Sequence, residues 1–113
     1  MLTIEKLKEL GVNTEEGVQR CVNDEGFYLR MMEMALRDNN CEKLQAALDE
    51  KDVERGFELA HAMKGVLGSL AITKLFDTIS EMTEELRSRN DIDYSGYMAV
   101  INEEFSKLRA LLD

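Results

Sequence analysis

Apolar residues recur at helical spacing along almost the whole chain, and no stretch alternates apolar with polar residues for long enough to make a strand. That pattern restricts the chain to an all-α fold. Ile72, Leu75, Ile79, Met82 and Leu86 fall three or four residues apart, as do Tyr97, Ile101, Phe105, Leu108 and Leu112. Start and stop signals divide the pattern into elements. Thr3 is placed to cap a short helix ending at Leu10, with Gly11 as its stop. Thr14 is placed to cap a second helix reaching about Asn23, with Glu15 and Glu16 in the first turn, where the helix dipole favours acidic groups. A long segment follows from about Gly26 to Glu50, with Leu29, Met32, Leu36, Leu44, Ala47 and Leu48 on its apolar side. Asn39 and Asn40 are expected to kink or break it, because their side chains compete with the helical hydrogen bonds. Asp52 is placed to cap a helix running to about Leu70. Another covers Ile72 to Arg89, Asn90 to Asp93 form a polar turn, and the last runs from about Tyr94 to Leu112.

With 113 residues there is material for one modest core. Four long segments joined by short turns predict an antiparallel, up-and-down four-helix bundle over about 26–112, with short accessory helices (about 1–24) lying against it. The methionines, including Met31, Met32 and Met34, are read as flexible fillers of the bundle interior. Cys21 and Cys41 are too far apart for a close-spaced metal or redox pair, and with one histidine they cannot build a usual zinc site. They are expected to be reduced, buried thiols.

The charge balance narrows the partners. A formal net charge of −9 disfavours nucleic-acid backbones and anionic membrane surfaces, both of which need clustered Lys and Arg. No apolar run approaches the ~20 residues that span a bilayer. MLTIEKLKELG lacks the basic start and apolar stretch of a signal peptide, so the expected location is the cytoplasm. A protein partner remains open.

The chain has one histidine, His61, within AHAMKGVLGSL. Stepping 100° per residue from Val53 to Leu70 gathers Leu59, Met63, Val66, Leu67 and Leu70 into a core stripe. His61 falls opposite, toward solvent, and shares its face with Glu54, Phe57, Glu58, Lys64, Gly65 and Gly68. Each glycine inside a helix costs about 1 kcal/mol relative to alanine. Two of them beyond His61 are explained if another protein's backbone must approach the imidazole. A plain helix stop accounts for Gly68 but leaves Gly65 unexplained. An unperturbed imidazole has a pKa near 6.5, so an exposed histidine is mostly neutral at pH 7 and keeps a lone pair for attack on phosphorus. Lys64, one turn on, is placed to offset the charge of a bound phosphoryl group. Glu58, one turn before His61, is a candidate to orient the ring, against the preferred reading of a solvated residue of the same face. There is no Gly-rich phosphate loop or kinase signature, so ATP binding is not expected, and no second histidine or cysteine partners a serine for hydrolysis. A phosphoryl group on His61 must then come from one protein and leave to another.

AHAMKGVLGSL resembles the H-x-x-K-G core of the histidine-containing phosphotransfer (HPt) domain family. GVNTEEGVQRCVNDEGFYLRMM, residues 11–32, resembles the N-terminal helices of bacterial members, and with the last two helices the likeness covers nearly the whole chain. The resemblance implies that His61 accepts the phosphoryl group, that Lys64 helps hold it, and that Gly65 and Gly68 admit a response regulator. It implies transfer from the aspartyl phosphate of a receiver domain to His61, then to another receiver. A hybrid sensor histidine kinase and response regulators become the expected partners. No intrinsic cofactor is implied, and Mg²⁺ is expected in the partner receiver. Phe57 and its apolar neighbours are expected to rim the docking surface. Leu70-Ala71 departs from the family, in which many members have glycine at the second position, and the local turn is the feature this affects.

Two other readings share the same fold. One is a helical adaptor without phosphoryl chemistry, which would not need His61. The other is the phosphoacceptor module of a larger chemotaxis-type kinase. The methionine start and the lack of a ragged linker favour a free-standing protein, and the internal use of the apolar stripes favours a monomer.

Overall fold

A computed structural model describes residues 1–112 and contains seven helices among them. They are α1 (Ile4–Glu9), α2 (Thr14–Arg20), α3 (Glu25–Arg37), α4 (Asn40–Asp49), α5 (Val53–Ser69), α6 (Thr73–Arg87) and α7 (Ser95–Arg109). The all-α class and the bundle are as expected. α3 and α4 together run antiparallel to α5. Tyr28, early in α3, reaches the carbonyl of Leu70 beyond the end of α5, while Leu48 near the end of α4 lies beside Gly56 near the start of α5. α6 packs closely along α5, and α7 returns along α6 and α3.

Tyr28, Met32, Leu36, Leu44, Leu67, Leu75, Ile79, Met82, Leu86 and Ile101 meet in the core, each almost fully buried. Burying a side chain of this size contributes about 1.5–3 kcal/mol. Cys21 and Cys41 are buried free thiols, and burial pushes the Cys41 thiol above its ordinary pKa. Where α6 meets α7, Lys74 pairs with Glu104 at 2.9 Å, and this contact holds the Glu104 carboxyl below its usual range.

Several boundaries differ from the sequence reading. Asn13, not Thr14, caps α2: its Oδ1 accepts from the Glu16 N–H at 3.2 Å. Thr14 is the first helical residue and is buried. α2 stops at Arg20 rather than about Asn23, because Val22 and Asn23 take left-handed φ values of 52° and 59°. The long segment from Gly26 to Glu50 is two helices, and the first begins earlier because Asp24 caps it. The break falls at Asp38 and Asn39, where the expected kink lay. Arg109 from α7 donates to the carbonyls of Leu36 and Asp38 there and pairs with Glu42 at 2.7 Å, so two of the carbonyls freed at the break are satisfied. The last helix is shorter than read, ending at Arg109, and Leu112 is half-buried beyond it. Thr3 and Asp52 cap α1 and α5 as expected.

The core line of α5 also differs. It runs through Gly56, Ala60, Met63 and Leu67. Leu59 is half-buried, and Val66 is 45% exposed. Small residues at 56 and 60 let α4 and α6 approach closely, so the core side of the helix is centred on them rather than on the largest apolar side chains.

Candidate functional site

α5 is capped at Asp52, whose Oδ1 accepts from the Arg55 N–H at 3.1 Å. Its seventeen residues present His61 halfway along, on an exposed face. The sequence wheel therefore oriented His61 correctly. Lys64 is half-buried and Gly65 exposed. His61, Lys64, Gly65, Gly68, Ser69, Phe76 and Arg20 line one shallow depression of about 380 Å³. Two of these side chains are cations and none is a carboxylate, on a chain of net charge −9. Arg20 is paired with Glu16, so Lys64 is the cation of this lining that a phosphoryl dianion would meet.

The two glycines differ. A Cβ at Gly65 would meet nothing within 4 Å, so the fold places no demand for glycine there. A Cβ at Gly68 would come within 3.1 Å of the Phe76 ring, so Gly68 has a packing reason. It is also inside α5 and not its stop: the helix closes at Leu70, and Ala71 takes the left-handed φ of 57°.

Phe57 is half-buried, one turn before His61. Its ring stacks on the imidazole with centroids 5.6 Å apart and planes inclined by 19°. The Arg87 guanidinium of α6 lies 4.9 Å from the centre of the same Phe57 ring. The side chain expected as part of a docking rim is thus in direct contact with the imidazole. Glu58 is exposed, and among the described residues nothing hydrogen-bonds the imidazole.

Arg20, Phe76 and Arg87 were not singled out from the sequence. Arg20 arrives from α2 and donates to the carbonyl of Gly68 and to Glu16. Three carbonyls at and just beyond the end of α5 are met by earlier parts of the chain: Gly68 by Arg20, Leu70 by the Tyr28 hydroxyl at 3.0 Å, and Ala71 by the Asn13 N–H at 3.1 Å. Burial pushes the Tyr28 hydroxyl well above its ordinary pKa, so it stays a donor. No local pattern in the sequence marks an arginine that reaches across 48 positions.

Beside the His61 depression lies an apolar groove of about 560 Å³, between α3 and α5, that shares Arg20, Gly65 and Ser69 with it. Phe27, Met31, Met34, Val66 and Leu70 line the groove. Met32 is buried as a core filler, but Met34 is 64% exposed, which corrects the reading of all three methionines as interior fillers.

The Hpt domain family model matches residues 28–111, from α3 to beyond the end of α7. No curated protein and no solved structure matches the chain. Among the described residues, no helix is long and apolar enough to cross a membrane.

Proposed function

The chain belongs to the Hpt domain family, whose members serve histidine phosphotransfer in two-component signalling, and we propose that it is a phosphorelay intermediate with His61 as the phosphoryl carrier. The observation that carries this reading is the pairing of exposed His61 with Lys64 beside a glycine, Gly65, that the fold itself does not need.

The donor is the aspartyl phosphate of one receiver domain. The lone pair on His61 Nε2 forms the N–P bond as the P–O bond to the aspartate breaks, and that bond's electron pair leaves with the carboxylate. Nδ1 keeps its proton through the step. The reverse step on a second receiver passes the group on. Lys64 offsets the added negative charge, and positioning with charge neutralisation supplies the catalysis. Mg²⁺ carried by the receiver would neutralise charge on the transferring group.

Gly65 leaves room for the receiver's loops, and the apolar groove lined by Val66 and Met34 adjoins it as a docking face. Gly68 lets the Phe76 ring pack against α5 in the His61 depression. The partners are response regulator receivers and a hybrid sensor histidine kinase in the cytoplasm, met by a monomer.

Onward passage tests the relay. Wild type is labelled from one phosphorylated receiver, separated, and mixed with a second receiver without ATP. Label appearing on the second receiver within minutes is expected. Label that never reaches this chain contradicts the relay and favours a binding adaptor, and label that stays on it contradicts the relay and favours a phosphoacceptor module.

A further inference from the structure

The nitrogen lone pair that attacks phosphorus lies in the plane of the imidazole ring. Whatever sets that plane sets the line of attack. For an exposed histidine the second side-chain torsion is broad, so an unsupported ring samples many planes. A hydrogen bond to the other ring nitrogen commonly does the holding. Here, among the described residues, neither nitrogen of His61 has such a partner.

What touches the imidazole is Phe57. The 5.6 Å centroid separation and 19° inclination fall within the range of favourable stacked aromatic pairs. Stacking engages one face of a ring whose residue is otherwise exposed, and an in-plane lone pair is not blocked by a partner on the face. Phe57 is itself constrained. The Arg87 guanidinium, 4.9 Å from its ring centre, is at cation–π distance. Arg87 is held in turn by Glu84, one turn earlier on α6, at 3.4 Å. A chain of contacts thus runs from α6 through Arg87 and Phe57 to the imidazole.

We propose that Phe57, braced by Arg87, is a positioning residue for His61: the aromatic stack, in place of a hydrogen bond, fixes the plane from which Nε2 meets phosphorus. The proposal rests on the phosphotransfer reading of His61. It gives Phe57 a role distinct from receiver docking, since a docking residue acts on receiver affinity and a positioning residue on the rate within the complex.

The test compares wild type, Phe57→Leu, Phe57→Tyr and Arg87→Gln. Leucine keeps apolar bulk without a ring face, and tyrosine restores the ring. Because the chain has one histidine, its ring protons are unambiguous in a proton NMR spectrum. The stack should shift them upfield, Phe57→Leu should abolish that shift, and Phe57→Tyr should restore it. Single-turnover transfer from a receiver domain charged with acetyl phosphate, run over a range of receiver concentrations, should show Phe57→Leu about fivefold slower at saturation with the half-saturating concentration unchanged. Phe57→Tyr should recover the rate, and Arg87→Gln should lose part of it. Ring shifts and saturating rate unchanged in Phe57→Leu overturn the positioning role while leaving the phosphotransfer reading intact. A change confined to the half-saturating concentration also overturns it, in favour of docking. A wild type that takes no label overturns the phosphotransfer reading and this role with it.

Discussion

Gly65 sits in the middle of a helix, with open space where a side chain would be. A helix-interior glycine is destabilising by about 1 kcal/mol relative to alanine. Gly65→Ala is therefore expected to raise stability by about that much in thermal or urea unfolding, and to slow phosphoryl transfer from a receiver by crowding the approach. Faster or equal transfer in a stabilised variant would remove the clearance argument. The exposed face of His61 was legible because a wheel needs only the helix and its period. Val66 was misread for a physical reason. Apolar size drew the core stripe toward Leu59 and Val66, while the helix buries the small residues Gly56 and Ala60, where its neighbours come closest. The stack of Phe57 on His61 was half legible: a spacing of four put them on one face, but not in contact. Arg87 belongs to another helix, and no spacing within α5 could have found it.

At the scale of elements, the helix ends account for most of the boundary errors. α1, α4, α5 and α6 close in the same way. The residue after the cap is left-handed, its N–H bonds three residues back, and the next N–H bonds five back, as in Ala71 to Gly68 and Ile72 to Leu67 at the end of α5. Only α1 uses glycine for this, at Gly11; the others use Lys51, Ala71 and Arg89. Gly11 was visible as a stop, and the other three were not, since nothing in an alanine or a lysine announces a left-handed backbone. The departure noticed at Leu70-Ala71 changes the residue and not the turn. Left-handed backbone costs an L-residue about 1–2 kcal/mol, part of which glycine returns through its greater unfolded-state freedom. Ala71→Gly is expected to stabilise the protein by about 0.5–1 kcal/mol, read as a higher unfolding midpoint with an unchanged denaturant slope. A lower midpoint would show that Ala71, itself buried, contributes more by packing than its backbone costs. The break between α3 and α4 was legible from its asparagines, whereas its stabilisation by Arg109 is tertiary.

The whole molecule brings distant parts of the chain to one end of α5. α2 and α3 meet the carbonyls at and just beyond its end through Asn13, Arg20 and Tyr28, and Arg20 is a second cation in the His61 depression, with an apolar groove beside it. The bundle was legible in the sequence because helical period and turn spacing suffice for an up-and-down topology. The groove was not, because Met34 and Val66 look like core residues until the packing of α3 against its neighbours leaves them outside. The central claim is that His61 carries the phosphoryl group. Wild type and His61→Gln, each incubated with a radiolabelled phosphorylated receiver domain, test it most directly. The account predicts acid-labile, alkali-stable label on the wild type and none on His61→Gln. Equal label on both proteins, or none on the wild type from any of several receivers, would contradict it.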